Sequence, residues 1–172
     1  MEDYMATQLE LAYLAGLVDG EAYIGVKKSP AYKCQGRRTP GYHARIQVRM
    51  VDEAAIQFLA ETLGGWYYKE KANAKHGRPL YCYQVSDRRA EHILRLLLPY
   101  LRVKKDTAKT VLALRELQAE GRKHRTKVTG YRNFPNKYGT KRIVANKCFS
   151  DEYVARCEAL YQQCKALNRV GI

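Results

Sequence analysis

Within positions 42–51 hydrophobic and polar residues alternate from Tyr42 as far as Met50: Tyr42, Ala44, Ile46, Val48 and Met50 fall on one side, His43, Arg45, Gln47 and Arg49 on the other. A period of two is the mark of a strand with one face in the core. Here the opposite face is cationic and amide-bearing. Positions 22–29 predict a preceding strand, separated from the first by a loop holding Pro30, Gly36, Pro40 and Gly41. Ahead of both, Leu11, Leu14, Ala15 and Val18 recur at three-and-four spacing, which predicts a helix over 7–20 with Thr7 as its N-cap and Gly20 at its end. Asp52 caps a second helix through about 63, with Ile56, Phe58, Leu59 and Leu63 as its apolar side, stopped by Gly64 and Gly65. Segments 66–71 and 80–86, rich in Trp and Tyr and joined through His76, Gly77, Arg78 and Pro79, predict a hairpin. Helices over 87–98 and 105–120 follow, linked by the short segment 99–104.

The order helix, strand, strand, helix, strand, strand, helix, helix predicts an α+β fold, an antiparallel sheet with helices on one face. At 172 residues and 46 % hydrophobic content, one domain spanning 1–172 is the expectation. Segment 122–149 is expected to be a loop, because Gly130, Pro135 and Gly139 interrupt any periodicity, and a final helix is expected over 150–168, capped by Ser150 with Asp151 and Glu152 in its first turn.

Charge changes the picture from fold to partner. Thirty-one Lys and Arg against 17 Asp and Glu give a net charge of +14, a field that attracts a polyanion. Nine of the cations and no acid lie between Arg122 and Lys147, interleaved with Tyr131, Phe134 and Tyr138, a composition suited to phosphate contact through residues such as Arg132, Lys137, Lys141 and Arg142. Nucleic acid is the expected partner, with no small-molecule substrate. No apolar run approaches the roughly 20 residues that a membrane helix needs, and Glu2 and Asp3 do not fit a basic leader. The expected setting is therefore away from a membrane, inside a prokaryotic cytoplasm or an organelle matrix. Five cysteines, an odd number with no CxxC spacing, predict reduced packing residues rather than disulfides or a thiolate zinc site.

Residues 14–22 spell LAGLVDGEA, flanked by Tyr13 and Tyr23. This stretch resembles the signature of the LAGLIDADG homing endonucleases and intron maturases, and the predicted element order matches that family's core over about 7–120. The resemblance implies a saddle-shaped DNA-binding sheet and a homodimer built on the first helix, on a partly palindromic site. Ala12, Ala15, Gly16 and Asp19 would form the interface, since small residues let helices approach closely. It further implies that Glu21 is the metal-binding carboxylate, standing where the family usually has aspartate, with the Gly20 carbonyl as a second ligand. Asp19 would cap the helix end, and Lys104 would be the lysine that stabilises developing phosphate charge. Magnesium is the implied cation, with calcium or manganese able to substitute for binding or cleavage. The implied activity is metal-dependent cleavage of duplex DNA; the alternative within the same resemblance is a maturase that binds intron RNA without cutting. Met50 stands where the family often has a polar side chain.

A sheet laid in the major groove presents alternate side chains to base edges. The candidates are Tyr23, Lys27 and Ser29 on the first strand, His43, Arg45, Gln47 and Arg49 on the second, Trp66, Tyr68 and Glu70 on the third and Cys82 and Gln84 on the fourth. Lys33, Arg37 and Arg38 in the first loop extend this set. Arg pairs with guanine and Gln with adenine through two bonds each, which singles out Arg45, Gln47 and Arg49 as the main base readers.

Overall fold

The first helix runs one residue past Gly20 and turns into a strand with no loop between. In the computed structural model, which describes residues 6–31, 39–71, 77, 79–135 and 141–170, α1 (Gln8–Glu21) is followed directly by β1 (Ala22–Ser29), the chain switching to extended geometry at Ala22. Thr7 begins α1 with a reciprocal cap: its hydroxyl accepts from the Glu10 amide and the Glu10 carboxylate accepts from the Thr7 amide. β2 (Gly41–Met50) pairs antiparallel with β1 from Ala22 opposite Val48 to Ser29 opposite Gly41. The remaining elements are α2 (Glu53–Leu63), β3 (Tyr67–Lys69), β4 (Tyr81–Ser86), α3 (Asp87–Leu97) and α4 (Lys105–Ala119). The strands form one sheet of order β1-β2-β4-β3.

The alternation of β2 appears in its burial: Tyr42, Ala44, Ile46 and Val48 are buried, while His43, Arg45, Gln47 and Arg49 are partly or fully exposed. The buried sides of β1, β2 and β4 meet the apolar stripes of the helices, with Leu14, Ile24, Ile46, Ile56, Tyr83, Ile93, Leu97 and Leu114 fully enclosed. Enclosing a side chain of this size stabilises by about 1.5–3 kcal/mol, so this layer fixes which sheet face remains for a partner. Asp52 caps α2 by accepting from the Ala55 amide, and Gly64, at φ 73°, ends it in a conformation that costs a glycine little. The buried Tyr83 hydroxyl donates to the Gly64 carbonyl at 2.8 Å, tying that turn to the sheet.

Segment 122–149 departs from the expected loop. A 3-10 turn at Gly121–His124 leads into an antiparallel ribbon, β5 (Lys127–Pro135) and β6 (Lys141–Cys148), which is a sheet separate from the main one and bulged between Val128 and Gly130. None of the described side chains of this ribbon joins the core, so selection for alternation is weak there and the strand signal is reduced to β-favouring residues such as Val128, Tyr131 and Ile143, all exposed. α5 (Asp151–Val170) closes the chain; Ser150 caps it by accepting from the Tyr153 amide, and it packs on α4 and β1. Among the described residues Cys82, Cys157 and Cys164 are buried free thiols and Cys148 is a half-buried one, as expected of packing residues; Cys34 lies outside the described residues. No helix among the described residues is long and apolar enough to cross a membrane.

α5 is clasped to the sheet by a polar knot. Glu158 accepts from Lys28 Nζ at 2.8 Å and from the Tyr42 hydroxyl at 2.5 Å, while Lys28 also lies over the Tyr42 and Tyr161 rings. Hydrogen bonds from Lys28, Tyr42 and Gln162 hold the Glu158 carboxyl down at about 2, against an ordinary value of 4.5. A carboxyl depressed on folding stabilises the fold above its unfolded pKa, and that contribution is lost as pH falls from about 4.5 towards 2. Glu158→Gln is therefore expected to flatten the acid limb of a stability-against-pH curve over that window, measured by denaturant unfolding.

Candidate catalytic centre and nucleic-acid interface

Two helix ends of opposite character meet at the foot of α1. The Asp19 carboxylate accepts from three backbone amides in the corner between α3 and α4: those of Arg102 at 2.6 Å, Val103 at 3.2 Å and Lys104 at 2.9 Å. Lys104 Nζ reaches back to the last carbonyls of α1, donating to Val18 at 3.1 Å, which also accepts from the Ala22 amide, to Asp19 at 2.6 Å and to Gly20 at 3.4 Å. An acid sits at the amide-rich start of one helix and a cation at the carbonyl-rich end of the other, each placed as the helix dipoles favour. Asp19 was expected to help cap its own helix end; its carboxylate instead holds the 102–104 corner, and Lys104 Nζ does the capping. The correction has a simple origin, since a contact across 83 positions leaves no local trace. Burial pushes the Lys104 ammonium below its ordinary pKa, with the charges of Asp19 and Glu21 opposing the shift.

Glu21 is exposed at the last position of α1, beside this clasp. With the Gly20 carbonyl it offers two oxygen donors, the ligand chemistry of a hard divalent cation. Among the described residues no group of three His, Cys, Asp or Glu stands close enough to hold a metal unaided. Met50, at the end of β2, is partly buried and packs on the core.

Along α1 the small residues divide by face. Ala12, Gly16 and Gly20, spaced by four, are exposed, as are Leu9 and Tyr13. Ala15 is fully buried with Leu14 and Val18, so it belongs to the core and not to the exposed stripe: adjacent positions on a helix point about 100° apart. A Cβ added at Gly16 or Gly20 would meet nothing within 4 Å. The fold of this chain does not itself demand glycine at either position.

The sheet face away from the helices carries most of the residues expected there. Tyr23 and Lys27 are exposed; the Tyr23 ring lies over Gly25, where an added Cβ would collide with it. Ser29 is half-buried and its hydroxyl donates to the Gly41 carbonyl. On β2, His43 Nδ1 is 3.0 Å from Asp87 Oδ2, Arg45 donates to Gln84, Gln47 donates to the Cys82 sulfur at 3.2 Å and Arg49 pairs with Glu70. Arg45 Nε is a buried donor with no acceptor among the described residues. Trp66 and Tyr68 are exposed with ring centroids 5.6 Å apart at the outer edge. Cys82 faces this surface but is fully covered, since it stands between Arg49 and Tyr68 in the strand register with Gln47 bonded to its sulfur; it is not available to a ligand here. Lys33, Arg37, Arg38 and Lys137 lie outside the described residues. Arg132, Lys141 and Arg142 belong to β5 and β6, with side chains outside those described.

Three residues that the sequence did not single out join this surface. Asp87, at φ 49°, starts α3 beside His43; Arg115 stands 3.8 Å from its other oxygen; and Arg125 lies over the Phe149 ring. They line an open groove, shared with Asn146 and Lys147, that joins the start of β2 to the ribbon. Each is placed by tertiary contact, and only the basic composition around Arg125 hinted at it.

Neither a protein-family model nor a curated protein sequence matches the chain. Solved structures do. The homing endonuclease I-CvuI in complex with its target in the presence of calcium superposes with a TM-score of 0.63 at 18% identity, over 93% of this chain and 82% of that one. The archaeal intron-encoded homing endonuclease I-Vdi141I complexed with DNA gives 0.64 at 12%, over 92% and 84%. A double mutant of I-SmaMI gives 0.59 at 14%, over 94% of this chain and 47% of that one. With an α1 motif, a four-stranded antiparallel sheet and a helical layer arranged as in these proteins, the chain has the fold of the LAGLIDADG homing endonucleases.

Proposed function

We propose that this protein is a site-specific endonuclease of double-stranded DNA, working as a homodimer with a divalent cation, magnesium by preference, at each Glu21. The observation that carries this reading is the convergence, at one end of α1, of the exposed Glu21 carboxylate, the Gly20 carbonyl and Lys104 Nζ. That convergence sits in a fold whose solved examples include homing endonucleases complexed with DNA. The Glu21 and Gly20 oxygens suit a hard cation and would hold it, leaving the rest of its shell to water and substrate. When bound, such an ion polarises an attacking water and offsets charge on the leaving oxygen. Lys104, anchored on three carbonyls, keeps a positive charge beside the phosphate, and Asp19 keeps Lys104 in place by holding the corner from which it springs. The sheet face aligns the duplex in its major groove, while the basic ribbon reaches phosphates further out.

A dimer is supported by the exposed Ala12, Gly16 and Gly20 stripe, where an added Cβ at either glycine would meet nothing inside the chain. It is also consistent with the I-SmaMI chain, which has room for two units of this length. The test is a screen of a randomised duplex library with magnesium and with chelator: cutting of both strands at a recurrent site, lost on chelation, is the expected result. A protein that binds duplexes and cuts none, but binds a folded intron RNA, would overturn the nuclease reading in favour of the maturase.

Strand β2 gives this reading a sharper form. Arg45→Ala or Gln47→Ala is expected to alter preference at individual base pairs by about 1–3 kcal/mol each, whereas Lys141→Ala, on the ribbon, should weaken all duplexes alike and reduce the salt dependence of binding. Titrations at two ionic strengths against single-substituted sites separate the two behaviours, and identical behaviour would mean that the faces are misassigned.

A further inference from the structure

The side chains that β2 offers to a duplex are already engaged inside the chain. His43 meets Asp87 at the end of the strand, Arg45 and Gln47 have neutral partners, and Arg49 holds a full counter-charge, Glu70, on the reading face itself. Glu70 continues the β3 pairing, its amide donating to the Leu80 carbonyl at 2.7 Å, which puts its side chain on the same face as Tyr68 and next to the Arg49–Cys82–Tyr68 row. Its side chain is only 20% exposed and that of Arg49 is 51% exposed.

A carboxylate in this place works against binding to any polyanion. Under a duplex it loses what water it has and faces either acceptor atoms or phosphates, a cost that nothing repays unless the DNA presents a donor. Attraction of a +14 protein to DNA needs no such residue. Donors in the major groove are the exocyclic amines of cytosine and adenine, and the N–H groups of Arg49 that Glu70 leaves free match guanine O6 and N7. An arginine and a carboxylate side by side thus present donors and an acceptor in the order in which a G·C pair presents acceptors and a donor.

Building on the DNA-reading role proposed above, we propose that Glu70 is a specificity-determining residue: it makes the Arg49 contact conditional on a base pair that offers acceptors to the guanidinium and an amino group to the carboxylate, a G·C pair. Where the pair is wrong, Arg49 stays committed to Glu70 and does not swing to a phosphate, so the carboxylate lowers affinity for non-target DNA.

The test compares the parent protein with Glu70→Gln, which keeps the size and an oxygen acceptor for Arg49 but no charge. Both are put through selection from a randomised duplex pool in calcium, followed by titration of the selected and of a scrambled duplex, and by thermal unfolding. The expected result is an unchanged melting temperature, loss of G·C preference at one position in each half-site, and roughly tenfold tighter binding of the scrambled duplex. Arg49→Lys should lose preference at that same position, because an ammonium cannot make the bidentate contact. The inference is overturned if Glu70→Gln selects the parent's bases at every position with the same ratio of target to scrambled affinity, or if it binds every duplex more weakly by one factor, which would make Glu70 a structural support. A parent that selects no duplex at all would overturn the DNA-reading role itself and this inference with it.

Discussion

Glu21→Gln is expected to lower the rate of duplex cutting by at least about a hundredfold while leaving duplex affinity close to the parent's. The substitution keeps the shape of the side chain and removes the charge that draws a divalent cation to the end of α1. What remains there, the Gly20 carbonyl and an ammonium 3.4 Å from it, does not favour a cation. Affinity should survive because the contacts are elsewhere, on β1 to β4 and the ribbon, and because losing one carboxylate beside phosphates relieves repulsion. Stability should also survive, since Glu21 is exposed and exposed substitutions rarely move it beyond about 0.5 kcal/mol. Binding measured in calcium and cutting measured in magnesium on one preparation give the two numbers. Cutting at near the parent rate would remove Glu21 from the chemistry and leave Lys104 and the 102–104 corner as the place to look.

The strand β2 was legible because one rule governs all of it: burial on one side selects apolar residues at every second position, and the polar remainder is the candidate reading face. The motif was legible too, since it is contiguous. What escaped is what tertiary contact decides. Asp19 lies in the motif, yet its role is set by amides more than 80 positions away, and no property of positions 14–22 announces them. Ala15 was assigned both to the core stripe and to the interface, and burial settles it for the core. The ribbon was missed because its described side chains stay out of the core and so carry no alternation, and its glycines and prolines read as loop. Cys82 shows the limit of register arguments. Parity puts a side chain on a face, but only its neighbours, here Gln47 and Tyr68, decide whether a ligand can reach it.

Gly16→Leu is expected to abolish the dimer and, with it, double-strand cutting. Two helices that pack with small residues between them approach more closely than the usual 8–10 Å axis separation, and Gly16, midway between Ala12 and Gly20 on the exposed stripe, is where their backbones would be nearest. Within one chain the position is open, with nothing within 4 Å of an added Cβ, so a leucine there fits the protomer without strain and should raise the helix propensity of α1. The damage falls on the association alone. Sedimentation should show a monomer whose thermal unfolding is at least as cooperative as the parent's, and cutting of a two-half site should disappear because the two Glu21 carboxylates are no longer brought to opposite strands. Gly16→Ala is the control, small enough to preserve the contact. A Gly16→Leu protein that remains dimeric and cuts both strands would move the interface away from α1; one that is monomeric and still cuts both strands would show that a single chain suffices, and the pairing of Glu21 across a twofold axis would be wrong.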